Sequence, residues 1–411
     1  MKINSYSASE IRNFLSKGYK LYLYGAGDAV SSYARIASAA LKNEQINFEC
    51  FIDDDQNRIG KIFLEKEIIS SSSVESVDPK AIILISSNYF KTILRGKVIC
   101  KKGVLITSLV RLLEDVNPVA FSGLMSYEEL QRRLHTHKSK LQQLQGFQDS
   151  IYVNALDVQV TEKCTMKCKD CSNLMQYYTK PEHADMDKLL LSLEKFIGAI
   201  DYLADARVIG GEPFMVKELP KILNFLAKND KVGHITIYTN GTIVPNDEVL
   251  YSLKSEKIVV EITDYNEYSR NLKKLIPVLK NNDIKFFSHR PQNWTDSARI
   301  VQNKRNSSEL SQMFDACCVN DAITILHERI YHCPFSANVV NLNAIKVSGE
   351  EYIDLSSFNE VENLRTYFKK WYFGRPFLES CSYCLGRDYM QPKVEPGVQT
   401  KKVIEILIEQ G

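Results

Sequence analysis

The chain has 411 residues, 44% hydrophobic and 25% charged, which is ordinary for a globular protein and long enough for two or three domains. A formal net charge of +2 gives no overall attraction for nucleic acid, and no run of about twenty apolar residues is present to span a bilayer. The polar start MKINSYS has no apolar signal region, so the ten cysteines are expected in a reducing, cytoplasmic setting and not as disulfides.

Residues 20–28 (KLYLYGAGD) read as an apolar strand running into a Gly-x-Gly turn, with a helix-like stretch over 29–41. Residues 46–53 (INFECFID) read as a second strand ending in an acid, the layout of a nucleotide-binding βαβ unit. Gly25 and Gly27 permit a tight turn and close approach of a phosphate to the helix N-terminus, and Asp53 stands where a ribose-binding acid belongs. The third glycine of that fingerprint is missing around Val30 and Ser31. Strands at 81–86 and 104–107 complete a small doubly wound domain, in which Cys50 and Cys100 read as core residues. Over 127–145, Leu130, Leu134, Leu141 and Leu144 fall near helical spacing and predict a connecting helix covering the domain that follows.

From residue 151 onward, strand and helix patterns alternate. Strands are predicted at 156–160, 205–209, 234–238, 258–262 and 284–287, with amphipathic segments at 186–202, 216–228 and 269–280 between them. This βα repeat implies a parallel sheet, and about six such units would form a partial barrel with its active site at the strand C-termini.

After the first strand comes TEKCTMKCKDCS, which places Cys164, Cys168 and Cys171 in C-x3-C-x2-C spacing. Three thiolates on one loop suit three irons of a 4Fe–4S cube and leave the fourth iron open. Zinc would need a fourth ligand that no nearby His supplies. The second strand is followed by Gly210, Gly211, Glu212 and Pro213, and the third by Thr239, Asn240 and Gly241. His289 and Arg290 follow the fifth strand, where His289 is the candidate base, and Tyr265 and Trp294 are candidates to line the pocket.

A second cysteine group follows: Cys317, Cys318, Cys333, and Cys381 with Cys384. Residues 322–332 read as a short hairpin that would bring the flanking cysteines together. Four of these thiols suit an iron–sulfur cluster or, with His332 as a further candidate, zinc. A short amphipathic helix is predicted over 401–410.

The triad followed in order by GGEP and TNG resembles the radical S-adenosylmethionine (radical SAM) enzymes over about residues 151–390. The resemblance implies that Cys164, Cys168 and Cys171 hold the SAM-binding 4Fe–4S cluster. It implies that Gly210, Gly211, Glu212 and Pro213 meet the amino group of SAM, and that Thr239, Asn240 and Gly241 lie near its ribose. The residue before the third cysteine is commonly aromatic in the family but is Asp170 here, so packing on the adenine does not carry over. The late cysteines resemble the twitch domain, a shortened SPASM domain holding one auxiliary 4Fe–4S cluster. The implied ligands are Cys318, Cys333, Cys381 and Cys384, which leaves Cys317 as a thiol hydrogen donor; the hairpin lacks the usual glycine, having His327 at its turn. The N-terminal run resembles the Rossmann-like domain of sugar-modifying enzymes, with a nucleotide or nucleotide-sugar weighed as its ligand against a docking role.

The expected fold is therefore α/β: a Rossmann-like domain over 1–120, a helical linker over 121–150, a partial (β/α)6 barrel over 151–310 and a Cys-rich cluster domain over 311–411. The implied activity is hydrogen abstraction from a sugar, polyol or nucleotide-sugar by a 5′-deoxyadenosyl radical, ending in oxidation or epimerisation, with electrons from a donor such as flavodoxin or ferredoxin. A peptide-modifying maturase and a zinc-stabilised, non-catalytic interaction protein stand as alternatives.

Overall fold

The computed structural model describes residues 3–27, 32–72, 80–87, 103–145, 151–320, 322–388 and 391–406. They fall into two units, Met1–Asp149 and Ser150–Gly411.

In the first unit, strands β1 (Lys20–Tyr24), β2 (Phe51–Asp53), β3 (Ile62–Phe63), β4 (Lys66–Ser70), β5 (Ala81–Ile85) and β6 (Leu105–Thr107) form one sheet in the order β3-β4-β2-β1-β5-β6. All neighbours are parallel except the β3-β4 pair. Parallel strands need cover on both faces, and the alternation supplies it. Leu21 and Leu23 pack with the helix Tyr33–Asn43, while Tyr22 and Tyr24 join Ile52, Ile83 and Ile85 on the other side. Cys50 packs half-buried against that second cluster, whereas Cys100 lies outside the described residues. The helix Tyr127–Gln145 forms as predicted, but its Leu130 and Leu134 are buried in the core of this first unit. The side chain of Leu144 lies outside the described residues.

The second unit is built on an eight-stranded sheet ordered β11-β10-β9-β8-β7-β13-β14-β15. Its strands are β7 (Tyr152–Thr161), β8 (Tyr202–Gly210), β9 (Val232–Thr239), β10 (Ile258–Thr263), β11 (Phe286–His289), β13 (Ala322–Leu326), β14 (Arg329–Tyr331) and β15 (Tyr352–Asp354); β12 (Trp294–Thr295) pairs separately with β16 (Lys393–Val394). Strands β7 to β11 are parallel, and β13 joins the opposite edge parallel to β7. The sheet thus has five consecutive βα strands, and its sixth parallel strand is the first arm of the predicted hairpin. The expected boundary at 310/311 is crossed by this sheet, because β13 pairs directly with β7 and is buried at every residue.

Strict alternation gives the sheet two unlike faces. Leu156, Val158, Val208, Ile237 and Val260 meet Leu189, Leu193, Phe196 and Leu223 of the returning helices, each fully buried Leu or Phe contributing roughly 2 kcal/mol. On the other face the same strands carry Asp157, Gln159, Arg207, Thr236, Tyr238 and Glu261. In that polar layer Gln159 exchanges two amide hydrogen bonds of 3.0 Å with Asn338, on the helix Pro334–Asn341 that follows Cys333. The Tyr178 hydroxyl donates to the same Asn338 carbonyl at 2.8 Å. Residues 401–406 form no helix, and the rest of the predicted C-terminal helix lies outside the described residues. Among the described residues, no helix is long and apolar enough to cross a membrane.

Replacing Asn338 by Ala strands the Gln159 amide in the interior and removes the acceptor of the Tyr178 O–H, which keeps only the hydrogen bond it accepts from Asn341 Nδ2. The expected loss is on the order of 3 kcal/mol in urea unfolding followed by tryptophan fluorescence. Both tryptophans, Trp294 and Trp371, report on this unit.

Candidate functional site

The cysteine loop leaves the C-terminal end of β7 and is held there by the glycines after β8. The Gly211 N–H donates to Thr161 O and the Glu212 N–H to Lys163 O, both at 2.9 Å. A Cβ on Gly210 would lie 2.9 Å from Thr161 Cγ2, and one on Gly211 would lie 2.7 Å from Cys164 Cβ, so only glycine lets the two chains approach this closely. On its other side the loop pairs with the chain's C-terminal segment: Lys169 N–H donates to Val398 O at 2.7 Å and Thr400 N–H to Lys167 O at 2.8 Å. Gln399 Nε2 donates to Cys168 Sγ at 3.2 Å, and Asn240 Nδ2 to Cys164 Sγ at 3.5 Å.

Burial pushes all three thiols up, Cys168 to about 12. Thiols in such surroundings become thiolates when a cation shares the site, and N–H donors aimed at the sulfurs tune such a centre. The three side chains line one cavity of about 350 Å³ together with Gly210, Gly211 and Asn240. The donor set and the room in this open-mouthed cavity fit a cluster with one open iron. Among the described residues, no three His, Cys, Asp or Glu side chains converge on a single-ion position. Thiolates at the corners of a cube stand further apart than ligands of one tetrahedral ion.

Glu212 departs from its expected place. It is fully buried and does not line the cavity; its carboxylate accepts from Thr239 Oγ1 and the Asn240 N–H at 2.9 Å and from the Phe214 N–H at 3.2 Å. Burial raises it to about 7 against those hydrogen bonds. Its function in the structure is to tie the end of β8 to the turn after β9, with Pro213 at the start of the short turn that follows. Gly241 lies in the turn after β9, at φ 71°.

The polar face of the sheet forms the cavity floor, and it contains residues the motif reading missed. Asp157, Arg207 and Tyr238 all line the cavity. Arg207 lies 3.2 Å from Asp205 and 3.7 Å from Asp157. Burial lifts Asp157 to about 6, with the neighbouring Arg207 opposing the rise. The alternation of β7 and β8 carried this signal, since a charged residue inside an apolar strand marks its inward face. Tyr265 and Trp294 both line the cavity, with their rings edge-on at 5.7 Å.

His289 does not line the cavity. It is half-exposed, 3.6 Å from Glu261, and Arg290 beside it pairs with Asp264 at 2.7 Å. Strand β11 runs to His289 itself, so the residue stays on an exposed edge short of the mouth.

The second cysteine group surrounds a smaller cavity, of about 30 Å³, lined by Cys317, Cys333, Cys381 and Cys384. Of the adjacent pair, Cys317 lines this cavity, whereas Cys318, the expected ligand, is exposed and outside it. The helix Ser307–Ala316 ends at Cys317, which directs that thiol inward and the next one outward. Cys317 is also absent from the larger cavity, where a hydrogen donor would be needed. Burial raises all four thiols, Cys333 to about 12. His332 stacks on Trp371 at 3.8 Å and does not line this cavity. Arg387, absent from every sequence motif, lines both cavities.

In the first unit, Gly25 sits at φ 112°, where a Cβ would lie 2.7 Å from Ser87 Cβ, so that turn also requires glycine. Gly27 is unconstrained, its added Cβ meeting only Ser32 at 3.4 Å or beyond. Asp53 accepts from the Ala26 N–H at 2.8 Å and the Asp55 N–H at 3.0 Å, holding the turn with its carboxylate.

Residues 158–302 match the family described as the radical SAM superfamily, and residues 17–101 match one described as C2185-like, N-terminal. A GTP 3′,8-cyclase of Desulforamulus reducens is 28% identical over 96 residues, 22% of this chain and 28% of that protein. A GTP 3′,8-cyclase of Clostridium acetobutylicum is 26% identical over 147 residues, 32% of this chain and 44% of that protein. The chain thus spans less than half the length of either relative. Among solved structures, Streptococcus suis SuiB is similar at 19% identity, covering 55% of this chain and 47% of that one with a TM-score of 0.29. BtrN in complex with AdoMet and 2-DOIA is similar at 16% identity, covering 62% and 98% with a TM-score of 0.34.

Gly211→Val should displace the cysteine loop and lower the iron retained by anaerobically reconstituted protein, whereas Gly27→Ala should leave it unchanged. Iron and sulfide analysis of both variants checks this.

Proposed function

We propose, from the premise that residues 158–302 form a radical SAM domain, that this chain oxidises a secondary alcohol of a sugar, polyol or nucleotide-sugar. The observation that carries the reading is the shared cavity, with the thiols of Cys164, Cys168 and Cys171 on one wall and the ionisable pair Asp157 and Arg207 on its floor. The thiols would hold the cluster, while Gly210, Gly211, Thr239 and Asn240 would receive SAM. When bound, the cluster and SAM supply a 5′-deoxyadenosyl radical able to take hydrogen from an unactivated carbon. Tyr265 and Trp294 would cover the substrate from water and hold the target carbon in place.

Turning an alcohol into a ketone removes a hydrogen atom from carbon, a proton from oxygen and one further electron. Asp157 would accept the proton, its carboxylate oriented by Arg207. Cys317, Cys333, Cys381 and Cys384 would hold an auxiliary cluster that accommodates the electron. A flavodoxin- or ferredoxin-type donor would supply the electron that starts each turnover. Epimerisation with Cys317 as hydrogen donor is the weaker reading, since that thiol lies with the second group. Taken by itself, the N-terminal unit, with its strand order reversing between β1 and β5, would bind a nucleotide or nucleotide-sugar near Gly25.

Anaerobically reconstituted protein given dithionite and SAM should form 5′-deoxyadenosine, and deuterium should pass into it from the substrate among a panel of polyols, nucleotide-sugars and peptides. Absence of 5′-deoxyadenosine sinks the proposal, and transfer from a peptide alone replaces the substrate class.

Asp157 accepts a proton only when ionised. The rate of substrate oxidation should therefore rise with pH through about 6 and level off above it. Asp157→Asn should lower product formation by about 10²-fold or more and remove that limb of the profile.

A further inference from the structure

The chain turns back after Cys384 at Gly386, whose φ of 93° suits glycine, and this places Arg387 between the two cysteine groups. Arg387 is 8% exposed, and its Nη2 donates to Ser172 O at 2.7 Å, directly after Cys171. Its buried Nε has no hydrogen-bond partner among the described residues. The cavity's other guanidinium, Arg207, pairs with Asp157 and Asp205, whereas Arg387 makes no contact ion pair among the described residues and acts on Asp157 only through the longer-range field. A buried guanidinium with an N–H left unmet carries a desolvation cost, so an oxyanion that accepts from that N–H gains a strong, directional partner. The planar fork presents paired N–H groups to a carboxylate or phosphate.

We propose that Arg387 anchors an oxyanion, phosphate or carboxylate, carried by the substrate, and so fixes that molecule between the two cysteine groups. This rests on the oxidation reading above and narrows it to substrates with an anionic group. Val319 lines both cavities beside Arg387, so a molecule bound there spans the wall that separates the two sets of thiols. An electron leaving the substrate would have the second group at hand. The motif residues Gly210, Gly211 and Asn240 belong to the ends of β8 and β9, which leaves the Arg387 side of the cavity for the second molecule.

The test uses iron-loaded full-length protein, with inorganic phosphate as the probe and its ³¹P line width as the readout. Wild type should broaden the phosphate signal saturably in the reduced state. R387Q should weaken phosphate binding by about tenfold or more, and R387K, which keeps the charge but not the fork, by a smaller factor. Affinity for SAM, by anaerobic equilibrium dialysis, should be unchanged in both variants. Equal phosphate binding by all three proteins overturns the proposal. So does a loss of SAM affinity in R387Q that decarboxylated SAM does not share, because the guanidinium would then serve the carboxylate of SAM. If R387Q fails to retain iron, R387K decides, and wild-type phosphate affinity in it overturns the proposal. Failure of wild type to form 5′-deoxyadenosine would defeat the radical reading while leaving the phosphate result standing.

Discussion

The close approach of Gly210 and Gly211 to residues 161–164 is the constraint on which the rest of the site depends. Two backbones can meet there only without side chains, and the meeting fixes the cysteine loop against the end of β8. Glu212 then fastens the end of β9 to the same place through two accepted hydrogen bonds, from Thr239 Oγ1 and the Asn240 N–H, while a third, from the Phe214 N–H, closes its own turn. A carboxylate used in this way acts as internal scaffolding: its desolvation is tolerated because each oxygen is met by a donor. The strand ends, the thiols and Asn240 are thereby held as one rigid rim around the cavity.

Beneath that rim the sheet separates two environments by alternation alone. The helix side is a continuous apolar core, and the cavity side is an ionisable layer in which Asp157, Arg207 and Asp205 are neighbours on adjacent strands. The second cysteine group is tied to the same layer. The paired amides of Gln159 and Asn338 join β7 to the helix that begins after Cys333, so the distance between the two sets of thiols is set by a buried hydrogen-bonded clasp. Its cost if broken is high because both partners are fully enclosed.

What could be read without coordinates was local. The five strands from β7 to β11 were legible because each is an apolar or alternating run, and the motifs stood at their ends because loops after parallel strands share one edge of the sheet. The misplaced residues all depended on longer-range choices. His289 follows a strand, as a base at the mouth would, but the register of β11 leaves it exposed at the edge. Cys317 and Cys318 are adjacent, and only the end of one helix decides which thiol turns inward. The hairpin strand β13 read as part of a separate domain, yet its buried Ile323 and Ile325 complete the core at the β7 edge.

The sequence by itself determined the chemistry on offer: three thiols on one loop, glycines where backbones must touch, and charged residues at inward positions of apolar strands. Tertiary structure alone decided which groups share a space. Gln399 reaches Cys168 across 231 positions of sequence, and Arg387 reaches Ser172 across 215. No local pattern encodes such meetings, because they follow from the packing of whole elements and from the need to satisfy or compensate each polar group that packing encloses.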